Sequence, residues 1–150
     1  MTLRKLLLTA ALPLAFALVG CGPTTTTGGT QTKITDAKGN TVTVDEKLSI
    51  NTPVGFVSPV GMKQGESKQL EFSLGRGKDL KDDVELMVDS PDKVKVDVPK
   101  MVPASGDGKF SVKVTVMDEA AVAEHPIKLT AKTSKGTPAV SEFKVKVDKK

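Results

Sequence analysis

The chain has 150 residues with one cysteine, one histidine, no tryptophan and no tyrosine, and each scarcity excludes a class of protein. A single cysteine cannot close an intramolecular disulfide, so a disulfide-stapled scaffold is ruled out. One imidazole beside one thiol leaves clustered His/Cys metal sites short of ligands and gives the common nucleophile–base pairs no partner. Sugar platforms and single-stranded nucleic-acid grooves need exposed aromatic faces, and the only aromatics are 5 phenylalanines. Phe16 lies in an apolar leader, so Phe56, Phe72, Phe110 and Phe143 are the aromatics left for a core. No long amphipathic helical pattern is present; only Asp118 to Glu124 could form a helical turn.

What is present begins with an address. Arg4 and Lys5 precede an apolar run from Leu6 to Val19, interrupted by Pro13 and ending in small residues before Cys21. A charged region, an apolar region and a small-residue cleavage site make a secretory signal peptide over residues 1–20. The run falls short of the roughly 20 apolar residues a membrane-spanning helix needs. Leu18-Val19-Gly20-Cys21 resembles the lipobox of bacterial lipoproteins. That resemblance implies cleavage between Gly20 and Cys21, a diacylglyceryl thioether on Cys21 and acylation (palmitate-type) of the new amino terminus. One acyl chain holds a protein marginally, and two or more hold it firmly. In the family an aspartate after the cysteine retains the protein at the inner membrane. Gly22 stands there instead, which implies an outer-membrane protein facing the periplasm.

Loss of residues 1–20 removes Arg4 and Lys5, so the basic count falls from 22 to 20 against 18 acids, a net charge of +2. Near-balanced charge without a basic block excludes nucleic acid as the expected partner. The expected organisation is Cys21 and a flexible Thr/Gly tether over residues 21–32, then a hairpin or extended lead-in over 33–56. A sandwich domain follows over 57–150. Gly22 to Thr32 contain no large apolar side chain, and such a tether would reach about 20 Å.

From Gly65 onward strict alternation marks strands with one buried face. Leu70, Phe72 and Leu74 point one way; Val84, Leu86 and Val88, then Val94, Val96 and Val98, repeat the pattern. Phe110, Val112, Val114 and Val116 follow, then Ile127, Leu129 and Ala131, then Phe143, Val145 and Val147. Six short strands with turn residues between them, plus the Val57–Met62 segment, predict an all-β antiparallel sandwich of about seven strands. The stretches Val57-Ser58-Pro59, Lys63 to Ser67, Leu74 to Lys78, Val84-Glu85-Leu86 and Ile127 to Ala131 resemble immunoglobulin-like modules of secreted and envelope bacterial proteins. The resemblance concerns fold and is almost silent on function.

Other candidates read as structural. His125 takes the corner position that a tyrosine often holds in the resembling modules. Gly75-Arg76-Gly77-Lys78 lacks the Ser/Thr and the helix of a phosphate-binding loop. Asp82-Asp83, Asp89-Ser90-Pro91-Asp92 and Asp118-Glu119 could supply calcium oxygens but read first as turn residues. Met62, Met87, Met101 and Met117 are dispersed rather than clustered for copper, with Met87 on the outward parity of its strand. Lys93, Lys95, Lys109, Lys113, Lys144, Lys146, Lys149 and Lys150 read as solubility and edge protection, the alternative being a cationic face toward anionic lipid or cell-wall polymer.

The composition and motifs together point to a lipid-anchored, non-enzymatic envelope protein without catalytic residues, metal site or cofactor. It would act as a binding or structural module for an envelope protein or cell-wall partner. A periplasmic ligand or metal-ion carrier, for calcium or copper, is the alternative.

Overall fold

The computed structural model describes residues 24–36, 39, 41–134 and 136–150. The leader and Cys21 lie outside the described residues. Eleven strands form: β1 (Thr24–Thr26), β2 (Gly28–Thr35), β3 (Thr41–Asn51), β4 (Val60–Lys63), β5 (Ser67–Arg76), β6 (Val84–Asp89), β7 (Val94–Asp97), β8 (Met101–Val102), β9 (Lys109–Val116), β10 (Glu124–Lys132) and β11 (Ala139–Asp148). They make two sheets, one ordered β1-β11-β10-β6-β8 with β4 also on β11, the other β2-β3-β5-β9-β7. Every pairing is antiparallel except β4 with β11.

The alternating pattern explains the layers. Side chains of a strand point to opposite faces, so the apolar residues of β5, β9 and β7 meet those of β6, β10 and β11 in one core. Strands β4 to β7 and β9 to β11 are the seven anticipated from the sequence. The other four are the short β8 and the three strands β1 to β3 built by residues 24–51.

These first strands correct the tether expectation. Thr24 to Thr26 pair with β11 at Glu142, Ser141 and Val140, and Gly28 to Thr35 pair with β3 along their whole length. The chain therefore changes sheets at Thr27, on entering Gly28-Gly29. The Gly29 N–H donates to the Thr137 carbonyl at 2.6 Å. A Cβ at Gly28 would overlap the Thr137 oxygen and the Pro138 carbonyl carbon, so only glycine fits this crossing. Only Gly22 and Pro23 separate Cys21 from the first strand.

All four core phenylalanines form one cluster. Phe72 stacks on Phe110 at 5.8 Å and meets Phe143 of the opposite sheet at 5.7 Å. Phe56, from the segment between β3 and β4, packs on Phe72 at 5.8 Å and edge-on to Phe143 at 5.7 Å. Phe72 thus touches every other ring. Phe72→Ala is expected to cost about 3–5 kcal/mol, a large share of the stability of a domain this size, read as a lower urea midpoint. An unchanged midpoint would mean that the rings are replaceable filling.

Candidate functional site

The proposed lipid site, Cys21 with cleavage after Gly20, lies outside the described residues, so the structure contributes its surroundings. Thr24, three residues on, lies at the edge of the first sheet, where Thr25 Oγ1 and Ser141 Oγ share a hydrogen bond at 3.5 Å. Ser141 is the one fully buried polar residue among those described, and β1 gives its hydroxyl a partner.

His125 is the second residue of β10, and its Nε2 donates to the Ala121 carbonyl at 2.8 Å, four residues upstream. The ring ties the β9–β10 connection to the start of the strand, as a corner residue does. The same connection is held by Gln64 Nε2 on the Ala120 carbonyl at 2.7 Å and by the Val147 N–H on the Ala123 carbonyl at 2.9 Å.

Arg76, read in the sequence as part of a basic turn, is the last residue of β5 and donates Nη1 to the Asp82 carbonyl at 2.7 Å and Nη2 to the Val102 and Pro103 carbonyls at 3.1 and 3.0 Å. One guanidinium at the end of β5 therefore ties the β5–β6 connection to the end of β8. Its sequence signal was a basic residue among glycines, and nothing local showed that three carbonyls from later turns would converge on it.

The acidic turns are used internally. Asp83 Oδ1 accepts the Ala104 N–H at 2.8 Å, Asp82 Oδ2 accepts the Ser134 hydroxyl at 2.8 Å, and Asp118 pairs with Lys150 at 3.3 Å. Among the described residues no group of three His, Cys, Asp or Glu side chains stands in metal-binding proximity. Met62 is buried, whereas Met87, Met101 and Met117 are exposed. Met87 faces outward as its parity indicated.

The lysines do not make a single-sign face. Lys93 pairs with Glu119 at 3.2 Å, Lys109 with Asp107 at 3.4 Å, Lys144 with Glu124 at 2.9 Å and Lys146 with Asp148 at 3.5 Å. Exposed pairs of this kind contribute little stability, but they keep the surface mixed in sign. At Asp107 the Lys109 backbone N–H, at 3.0 Å, holds the carboxyl below its usual range, aided by the Lys109 ammonium. A lowered carboxylate pKa stabilises at neutral pH, and that support is lost as the pH falls through the folded-state value.

No protein-family profile and no curated protein sequence matches the chain. Among solved structures it is similar to domains 4 and 5 of the S-layer protein SbsC, with a TM-score of 0.42 and 14% identity over 87% of this chain and 79% of that one. A likeness this distant carries no functional argument. The fold is a two-sheet, all-β sandwich with a mixed-charge surface.

Two substitutions test the corner and the clamp. His125→Ala is expected to lower unfolding free energy by about 1 kcal/mol. Arg76→Met, which keeps the aliphatic stem, should cost about 2–4 kcal/mol because three carbonyls lose a charged donor. Equal losses in urea titrations, or none, would contradict these assignments.

Proposed function

We propose that the chain is a lipid-anchored, non-enzymatic envelope protein whose immunoglobulin-like sandwich binds an extended segment of another envelope protein. The observation that carries this reading is LVGC at residues 18–21, at the end of a leader and three residues before the sandwich begins. Gly22 after the cysteine supports the periplasmic face of the outer membrane.

Support for the immunoglobulin-like reading comes from strand order and from the corner. β3-β5-β9-β7 on one sheet and β11-β10-β6 on the other follow the ABED and GFC orders of such sandwiches, and His125 sits at the connection where their corner residue sits.

Support for binding comes from the sheet edges. β7 has 4 residues and β8 has 2, short edges that discourage strand addition. β2 has 8 residues, ends its sheet, and carries Lys33 as its one charge. Because the Gly29 N–H points away from β3 to Thr137, alternation turns the backbone groups of Gln31, Lys33 and Thr35 to the same outer side. That is a row of donors and acceptors an extended peptide can pair with.

Two measurements test the reading. Intact mass of the membrane fraction should show a species beginning at Cys21 with acyl chains, lost in Cys21→Ala; an unacylated wild-type chain would contradict the anchor. Lys33→Pro removes an outward donor while leaving the β2–β3 ladder intact. It is expected to abolish a partner crosslinked to β2 in the envelope without lowering the melting temperature. Retention of that partner would contradict binding at this edge.

A further inference from the structure

The segment between β3 and β4 runs from Asn51, beside Ser73 in one sheet, to Val60, beside Val145 in the other. It therefore crosses the gap between the sheets along one side of the sandwich. From Thr52 to Met62 it contains no charged residue. The Phe56 N–H donates to the Pro53 carbonyl at 3.0 Å with Gly55 at φ 77°, the geometry of a turn that needs glycine third. Val54, second in that turn, is thrown wholly into solvent at 107% relative exposure, and Val57 stands at 72%. Phe56 points the other way, into the ring cluster, and Ser58 Oγ accepts the Lys144 N–H at 3.1 Å. The two valines are thus held outward on a loop pinned at both its aromatic and its hydroxyl side chains.

The chain enters the sandwich beside this loop. Thr24 pairs with Glu142, two residues along β11 from Lys144, so Thr24 and Ser58 flank the same strand edge about 7 Å apart. β1 is antiparallel to β11, and its amino-terminal end is the end that faces Ser58. Three residues of chain span at most about 11 Å, so Cys21 lies within that distance of Thr24. An acylated Cys21 brings a bilayer against this side of the molecule.

We infer that Val54 and Val57 insert into the lipid surface next to the anchor, so that the sandwich rests on the bilayer through its β1/β4 side instead of floating above it. The inference rests on the anchor reading proposed above. It adds an orientation: β8, at the far end of the same sheet, stands about 19 Å away across four strand spacings. Isolated valines bind membranes weakly, but an anchor within 11 Å makes their insertion intramolecular.

The chain has no tryptophan, so a single introduced indole reports its own surroundings. Full-length Val57→Trp, Val54→Trp and, as the distant control, Met101→Trp are made with the native leader. Each is purified from membranes, its acylation checked by mass, and it is placed in phosphatidylethanolamine/phosphatidylglycerol vesicles with or without brominated acyl chains. Insertion to the headgroup–acyl boundary is expected to cost the position-54 and position-57 indoles about half their emission in brominated vesicles, with little change at position 101. Acylated protein whose three indoles respond alike would overturn the inference while leaving the anchor in place. Protein lacking acyl chains would overturn the anchor and the inference with it. A blue shift at position 57 that grows with protein concentration without vesicles would assign the valines to a second copy and overturn the lipid contact.

Discussion

The outer edge of β11 is the constraint on which the arrangement depends. Its inner face supplies Ala139, Ser141, Phe143, Val145 and Val147 to the core, all buried, so the strand cannot move without opening the sandwich. One edge pairs with β10 from Ala139 to Lys146. The other is shared: β1 covers Val140 to Glu142, the Ser58 hydroxyl takes the Lys144 N–H, and β4 covers Val145 to Asp148. An uncovered strand edge invites pairing with other chains. Here the residues nearest the proposed anchor close the gap that β4 leaves.

That arrangement joins three properties usually discussed apart. The ring cluster fixes the distance between the sheets and, through Phe56, the path of the β3–β4 crossing. The crossing carries Ser58 to the same β11 edge that pairs with Thr24, three residues after Cys21 in the sequence. On the other sheet, the Gly28-Gly29 crossing delivers β2 to a terminal position, with no strand paired to its outer side among the described residues. Residues 24–32, expected to be a spacer, therefore build β1 and begin β2, the longest terminal strand of either sheet among the described residues.

The strands from Ser67 to Asp148 other than the two-residue β8 were legible because each alternates large apolar and polar residues over several positions, a pattern set by its own burial. Residues 24–32 were not legible for the converse reason. Threonine and glycine bury almost nothing, so β1 and β2 owe their form to backbone pairing with β11 and β3, partners more than a hundred and about twenty positions away. Gly28 and Gly29 read as flexibility, whereas they serve close approach. His125 was placed at its corner by the resemblance to modules that carry a tyrosine there, but the lysine pairs needed strand register: Lys144 reaches Glu124 diagonally because β10 and β11 set Glu124 opposite Lys146. Arg76 is the extreme case, since its three acceptors come from residues 82, 102 and 103.

The most direct test of this account is amide hydrogen exchange, by mass spectrometry, in peptides covering residues 24–35 of the full-length protein. Protection of the Thr24–Thr26 amides comparable to that of β4, and of alternate amides in β2 comparable to β3, is the expected result, since both depend on the edge of β11 and the Gly28 crossing. Exchange across the whole segment at the rate of an unstructured chain would contradict it, returning these residues to a tether and detaching the anchor from the domain's side.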